Sequence, residues 1–199
     1  MLNGLVRVPI TRVITPLARA VVRVGISPAV VTWSGAIGAI AASALLIPSG
    51  HLFAASLFVG GLALLDLLDG TMARISGQTS DWGAFLDSNL DRVTDAAIFA
   101  SLATYYATRD HTLMILALIA LVAGFQVSYA KARAESLGLK CTGGLMERAE
   151  RLIVVLAVIG LTGLGVRYVA GIGLWLLVIG GVFTFGQRLR QVHIESHTR

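Results

Sequence analysis

The sequence lacks most of what a soluble or zinc-stabilised domain would need. Its single cysteine, Cys141, excludes an intrachain disulfide, and no Cys/His cluster surrounds it to hold zinc. Charged residues make up only 14% of the 199 residues, whereas about a quarter of the residues in a soluble protein are charged. Because 56% of the residues are hydrophobic, water is not the expected solvent for most of this chain.

Long stretches without any charge indicate what that solvent is. They lie between Arg23 and Asp66, Asp110 and Lys131, Arg151 and Arg167, and Arg167 and Arg188. A helix needs about 20 mostly apolar residues to cross a bilayer, and an open strand there would leave backbone groups unpaired. The composition therefore predicts an all-α integral membrane protein.

The turn signals and apolar lengths divide the chain into six predicted transmembrane helices. Pro48-Ser49-Gly50 separates the first two, since the apolar stretch around it is too long for one span. We expect an N-terminal juxtamembrane amphipathic segment over 1–24, one membrane domain over 25–190 and a cytosolic tail over 191–199. The six helices are predicted at 28–47, 52–74, 84–108, 112–136, 146–165 and 168–190.

The distribution of basic residues predicts how the chain is oriented in the membrane. Lys and Arg collect in the cytosolic loops of membrane proteins, and six spans with both termini cytosolic leave only Arg109 and Arg167 in outer turns. Part of the formal charge of +5 is therefore a topology signal, and we predict no nucleic-acid partner. The segment before the first span places Arg12, Arg19 and Arg23 on one helical face. It is either an interfacial helix on anionic lipid or a basic leader that only sets orientation, and Pro9 and Pro16 interrupt any helix there.

Four aspartates form the most informative pattern in the chain. Asp66 and Asp69 are three residues apart, and Asp87 and Asp91 are four apart, so each pair shares one face of its own helix. The short connection between the two helices returns the chain to the same surface, where four carboxylates can converge. Oxygen-only ligands suit hard divalent cations. Two such ions would neutralise the carboxylates and hold a pyrophosphate.

Other interpretations of the acidic residues stay open at this point. A single intramembrane aspartate can pair with an arginine, and Arg74 or Arg92 is available for that. A carboxylate pathway in an ion-coupled transporter is the main alternative outside enzymes. Two further acids are interpreted as structural: Asp81 as a solvated loop residue and Asp95 as a partner in helix pairing.

The pattern D-x-x-D-G-x-x-A-R-x8-G-x3-D-x3-D, complete from Asp66 to Asp91, resembles the signature of the CDP-alcohol phosphatidyltransferase family. The resemblance implies a six-helix membrane fold, a homodimer and two divalent ions, Mg²⁺ or Mn²⁺, in each active site. It makes Asp66, Asp69, Asp87 and Asp91 the metal ligands, with Asp91 also the base that activates the acceptor hydroxyl. The CDP-lipid pocket it implies consists of Thr32, Asp69, Gly70, Ala73, Arg74 and Gly83.

A second part of the sequence indicates which alcohol accepts the phosphatidyl group. Ser128–Glu135 and Gly143–Ile153 resemble the actinobacterial phosphatidylinositol-phosphate synthases within this family. Two positions depart from the expected pattern: Ala29, where many family members have Asn or Asp, and Ala149, where a proline is expected. In that group a basic pocket binds the phosphate of inositol phosphate, and guanidinium groups suit that task. The matching positions here are Lys131, Arg133, Arg148, Arg151 and Arg188, although cytosolic topology alone also places basic residues there.

The resemblance implies a reaction at the cytosolic face of the cell membrane. The phosphatidyl group of CDP-diacylglycerol would pass to L-myo-inositol 1-phosphate, giving phosphatidylinositol phosphate and CMP. The alternative within the family is a phosphatidylglycerophosphate synthase that uses glycerol 3-phosphate. Membrane lipids and a second copy of the chain are the other expected partners.

Overall fold

The structure is a computed structural model that describes residues 15–77 and 80–197, apart from the side chains of residues 66 and 67. Residues 15–23 are helical, Pro16 included. Six long helices follow, and no strand occurs among the described residues. They are α1 (Pro28–Leu46), α2 (Leu52–Ser76), α3 (Asp81–Tyr106), α4 (His111–Ser136), α5 (Arg148–Gly163) and α6 (Val169–His197).

Local sequence signals begin and end these helices. Asp110 caps α4, accepting hydrogen bonds from the backbone N–H groups of Thr112 at 2.8 Å and Leu113 at 3.1 Å. After α4, Gly138 takes a φ of +71°, and the N–H of Leu139 donates to the carbonyl of Ala134 at 2.9 Å. A left-handed glycine with this bond is the common way to satisfy the last carbonyls of a helix.

Within the described chain, four helices are long and apolar enough to cross a membrane, namely α1, α2, α4 and α6. The other two depart from that pattern for different reasons. The first half of α3 carries Asp81, Asp87, Asp91 and Arg92, and α5 has only 16 residues, fewer than the about 20 of a typical span. The predicted all-helical membrane class is confirmed, and six spans stay a prediction.

The chain falls into two compact units. The first contains the described residues up to Ala42 together with Leu57–Thr94, and the second contains Ser43–Ser56 together with the described residues from Asp95 onward. The predicted aspartate ligands belong to the first unit and the five predicted phosphate-binding cations to the second.

In the first unit, the apolar contacts of four helical segments determine which way the acidic residues face. Ala18 of the N-terminal helix packs with Val31, Leu68 and Met72. Leu86 and Leu90 of α3 pack with Ala36 of α1. Because successive helical residues are turned by about 100°, burying Leu86 and Leu90 places Asp87 and Asp91 on an adjoining face of α3.

In the second unit, α6 packs against both α4 and α5. Small residues allow the helices to approach closely: a Cβ added at Gly173 would clash with Val158, and one at Gly181 would lie 3.0 Å from Cβ of Ala123. Such contacts are typical of helices packed in a membrane, where there is no hydrophobic force between them.

Several predicted boundaries need correction. α3 begins at Asp81 rather than Ala84, because the side chain of Ser80 accepts a hydrogen bond from the N–H of Gly83 at 3.0 Å and caps the helix. Asp81 is therefore the first residue of α3 and not a loop residue. α6 continues to His197, so residues 191–197 of the predicted tail are helical. Of the predicted N-terminal segment, residues 1–14, with Arg12 and Pro9, lie outside the described residues.

Candidate active site

Asp69 is the best defined of the predicted metal ligands. It lies in α2 and is only 6% exposed, and the hydroxyl of Thr32 on α1 lies 2.5 Å from its Oδ2 atom. The same hydroxyl lies 3.1 Å from the carbonyl oxygen of Pro28. Because a hydroxyl has one proton, only one of these two acceptors receives it at a time. The backbone of Asp66 continues the same helix, and its side chain lies outside the described residues.

The residues after Asp69 leave space beside it. Gly70 is exposed, and a Cβ added there would meet nothing within 4 Å. Arg74 is also exposed, and its guanidinium group donates from Nε to the carbonyl of Gly70 at 3.0 Å and from Nη2 to the hydroxyl of Thr71 at 3.3 Å. Ala73 is half-buried. The predicted CDP-lipid residues of α2 thus combine an open glycine with a cation held along the helix.

On α3, the second pair of aspartates differs in exposure. Asp87 is exposed, whereas the side chain of Asp91 is only 14% exposed, with Nη1 of Arg92 lying 3.8 Å from its Oδ2. The same Nη1 also donates to the carbonyl of Ser88. This contact is of the kind that the alternative interpretation predicted, in which an intramembrane aspartate pairs with Arg92.

The chemistry of the donors fits a hard divalent cation. Asp69, Asp87 and Asp91 offer carboxylate oxygens, the ligands that Mg²⁺ and Mn²⁺ prefer. Among the side chains that the structure describes, no three His, Cys, Asp or Glu residues come together as a metal site. Asp66, the fourth predicted ligand, is not among those side chains. The metal ligand set therefore stays a prediction.

In the second unit, Arg151 and Asp95 form a buried ion pair. Nη2 of Arg151 lies 2.9 Å from Oδ2 of Asp95, and the two side chains are 4% and 10% exposed. Nε of Arg148 lies 3.8 Å from the other oxygen of Asp95. Within the described chain, Nη1 of Arg151 is buried without a hydrogen-bond partner. Because a buried donor without a partner is costly, this nitrogen is a candidate for contact with an anionic ligand.

Arg188, another predicted phosphate ligand, is bonded to the protein through all three of its guanidinium nitrogens. Nη1 donates to the carbonyl of Val127 at 2.5 Å, Nε to the carbonyl of Gly143 at 3.3 Å and Nη2 to Glu147 at 3.2 Å. A guanidinium group has five N–H donors, so these contacts leave a minority of them for a ligand.

The other two predicted cations lie nearer the surface. Nζ of Lys131 is 3.9 Å from the carboxylate of Glu135, in a pair that is largely exposed, and Arg133 is exposed and bonded to Ser136. Exposed pairs of this kind contribute little to stability, so Lys131 and Arg133 are available to bind an anion.

Sequence reasoning missed two polar residues of α6. The hydroxyl of Thr184 accepts a hydrogen bond from the N–H of Met146 at 2.8 Å, and Oε1 of Gln187 accepts one from the N–H of Leu145 at 3.2 Å. The sequence did contain a signal for them, because Thr184, Gln187 and Arg188 place three polar residues on one face of an apolar helix.

Comparison with known proteins identifies the class. The family model for CDP-alcohol phosphatidyltransferases matches residues 25–186, so the chain belongs to that family. It is an enzyme, a transferase, as the aspartate signature predicts, and the transporter alternative is set aside.

Particular relatives within the family are similar over nearly the whole chain. The phosphatidylinositol phosphate synthase of Streptomyces avermitilis is 42% identical, covering 98% of this chain and 84% of that protein. That of Corynebacterium glutamicum is 39% identical, covering 92% and 85%.

Solved structures of a relative have the same fold. The crystal structure of Mycobacterium tuberculosis phosphatidylinositol phosphate synthase with CDP-DAG bound is 42% identical and superposes with a TM-score of 0.85, covering 91% of this chain and 94% of that one. The structure of the same enzyme with manganese and citrate superposes with a TM-score of 0.86, covering 90% and 88%.

Proposed function

We propose that this enzyme transfers the phosphatidyl group of CDP-diacylglycerol to L-myo-inositol 1-phosphate, producing phosphatidylinositol phosphate and CMP. The proposed identity of the acceptor rests on the extent of similarity to relatives named for this reaction. Two of them are 42% identical over 98% and 94% of the chain. The CDP-lipid is supported by the solved relative that holds CDP-DAG, and the divalent cation by the one that holds manganese.

On the donor side, Asp66, Asp69, Asp87 and Asp91 are proposed to hold two Mg²⁺ or Mn²⁺ ions. When bound, these ions would neutralise the charge of the pyrophosphate and stabilise the CMP leaving group. The hydroxyl of Thr32 lies 2.5 Å from the carboxylate of Asp69, and the open space beside Gly70 supports the proposal that the nucleotide binds there. Ala73, Arg74 and Gly83 complete the proposed CDP-lipid pocket.

The chemical step is one displacement at phosphorus. Asp91 accepts the proton of an acceptor hydroxyl, whose oxygen bonds to the lipid-linked β-phosphorus while the bond from that phosphorus to the CMP oxygen breaks. Asp91 suits the role because its side chain is 14% exposed, so it is shielded from much of the solvent and still accessible to a substrate. A general base of this kind contributes about 10²–10⁴-fold to a rate.

The acceptor phosphate is proposed to contact Arg151, with Lys131, Arg133, Arg148 and Arg188 contributing positive charge. The buried, unpartnered Nη1 of Arg151 supports this assignment within the described chain, since phosphate oxygens would satisfy it. A phosphatidylglycerophosphate synthase would use the same donor and the same metals, and it is the alternative that an acceptor comparison tests.

For topology, we propose six spans with both termini and the active site on the cytosolic side. The distribution of basic residues supports this orientation, since Arg109 and Arg167 alone would lie in outer turns. The one domain would extend over residues 25–190 in the cell membrane, and the enzyme would act as a homodimer, as its family resemblance implies. Reaction of single cysteines placed beside Arg109 and beside Lys140 with an impermeant thiol reagent, in a Cys141→Ser background, tests the orientation. Labelling of the Lys140 site from outside intact cells would refute it.

The deciding experiment measures CMP release from CDP-diacylglycerol by purified protein in detergent with Mg²⁺. Inositol 1-phosphate, free inositol and glycerol 3-phosphate are compared as acceptors. We expect release with inositol 1-phosphate and none with free inositol, because the latter has no phosphate for the basic residues. Release with glycerol 3-phosphate alone would keep the family and refute the proposed acceptor.

A further inference from the structure

A short segment between α4 and α5 runs along one face of α6. This segment, residues 143–147, is here called the strap. Met146 contacts α6 at Gly180 and Thr184, Leu145 at Gln187 and Gly143 at Arg188. The strap therefore runs antiparallel to α6. The helix positions that it contacts, 180, 184, 187 and 188, lie on one face of α6.

Three hydrogen bonds hold the backbone of the strap. Thr184 accepts from the N–H of Met146 at 2.8 Å, and Gln187 accepts from the N–H of Leu145 at 3.2 Å. Nε of Arg188 donates to the carbonyl of Gly143 at 3.3 Å. A non-repetitive segment has no internal ladder to satisfy its backbone, so the side chains of α6 take the place of that ladder.

Glycines make the close approach possible on both sides. Gly144 has a φ of +148°, and a Cβ added there would lie 2.5 Å from Cγ2 of Thr184. A Cβ added at Gly180 would lie 2.6 Å from Cε of Met146. Thr184 is fully buried in this contact. The strap and α6 thus fit together through backbone, glycine and hydroxyl contacts.

The strap leads directly into the first turn of α5. Glu147 is the N-cap residue of α5, yet its side chain makes no capping bond and is bonded instead to Nη2 of Arg188 at 3.2 Å. Arg148 follows immediately, and Arg151 lies in the same turn. Because the strap directly precedes this turn, its path sets where the helix that carries both arginines begins.

We propose that Thr184 and Gln187 are positioning residues for the phosphorylated acceptor, which act through the strap on Arg148 and Arg151. This inference rests on the proposed function for the identity of the acceptor. A displacement of about 1 Å in a positioned group can cost about 10²-fold in rate, so loss of either strap bond should weaken acceptor use. The CDP-lipid pocket is assigned to other residues, and its affinity should stay unchanged.

Kinetics on matched variants test this separation. Thr184→Val keeps the shape of the side chain and removes the acceptor of the Met146 N–H, and Thr184→Ser restores a hydroxyl. We expect Thr184→Val to raise the KM for inositol 1-phosphate about tenfold, because a shifted strap displaces the arginines proposed to bind its phosphate, with the KM for CDP-diacylglycerol unchanged. Thr184→Ser should behave like the wild type. Thr104→Val is the control, because that hydroxyl bonds only the carbonyl of Ala100 in its own helix.

The single cysteine supplies a readout that needs no activity. Cys141 is 1% exposed and lies two residues before the strap, so its reaction with N-ethylmaleimide reports opening of this segment. We expect Thr184→Val to label faster than the wild type and Thr104→Val to label at the wild-type rate. Gln187→Ala, at an exposed position, serves as the second variant if Thr184→Val does not fold, with the same two expectations.

The outcomes separate the two proposals. Faster Cys141 labelling together with a selective rise in the acceptor KM supports the positioning role. Unchanged labelling, or an equal rise in both KM values, overturns it. If the wild type releases no CMP with any acceptor, the proposed function fails, whereas unaltered Cys141 labelling in both variants would show independently that α6 does not hold the strap.

Discussion

Neutralising Asp95 should destabilise the enzyme strongly, because it leaves the charge of Arg151 buried and unpaired. Asp95→Asn keeps the shape of the side chain and removes its charge. The pair it disrupts has a 2.9 Å contact between side chains that are 10% and 4% exposed. Solvent therefore does little to screen it, and the low values measured for surface ion pairs do not apply.

The expected magnitude follows from that burial. Removing one partner of a buried ion pair costs about 3–5 kcal/mol. In a chain of this size about 1 kcal/mol shifts the melting temperature by about 2–4 °C, so Asp95→Asn should lower Tm by roughly 6–20 °C. The contact of Arg148 with the same carboxylate at 3.8 Å favours the upper part of that range, since a second cation also loses its contact with this charge.

Thermal unfolding in detergent, followed by tryptophan fluorescence, measures the effect. Arg151→Met, Asp95→Leu and the double variant complete a cycle, in which the double variant should regain part of the stability because the charge of Arg151 is no longer buried without its partner. Asp81→Asn is the matched control, since Asp81 is exposed at the start of α3. A Tm for Asp95→Asn equal to that of Asp81→Asn would refute the reasoning.

The remaining predictions concern the aspartate site. Asp91→Asn should bind the CDP-lipid in a direct binding assay and lose turnover by about 10² or more; normal turnover would show that Asp91 is not the base. Chelation with EDTA should abolish CMP release, which Mg²⁺ or Mn²⁺ should restore; recovery with Zn²⁺ alone would contradict the all-oxygen site. Thr32→Val should raise the Mn²⁺ concentration that gives half-maximal activity by about 10–100-fold, because it removes the hydroxyl bonded to Asp69. Thr32→Ser keeps that hydroxyl and should not change this concentration. Equal Mn²⁺ dependence in Thr32→Val and the wild type would leave that bond without a role in metal binding.

Much of the helical architecture could be read from local signals. Apolar length predicts the helices because each one satisfies its own backbone bonds within a continuous segment. The boundaries were less accurate for a local reason. The apolar part of α3 starts after its capped beginning at Ser80, and no glycine or proline follows Arg188 to end α6 before His197.

The sequence by itself determined the membrane class, the aspartate signature and the family, since composition and helical spacing are properties of neighbouring residues. Only the tertiary structure decided which charges meet. Asp95 pairs with Arg151, 56 positions away, and Arg188 bonds the strap and Val127 rather than standing free for a ligand. Thr184 gains its partner across 38 positions. Helical periodicity shows which face carries a polar residue, but the packing of α4, α5 and α6 selects the partner, because many polar pairs satisfy the same periodicity and one arrangement buries the apolar faces together.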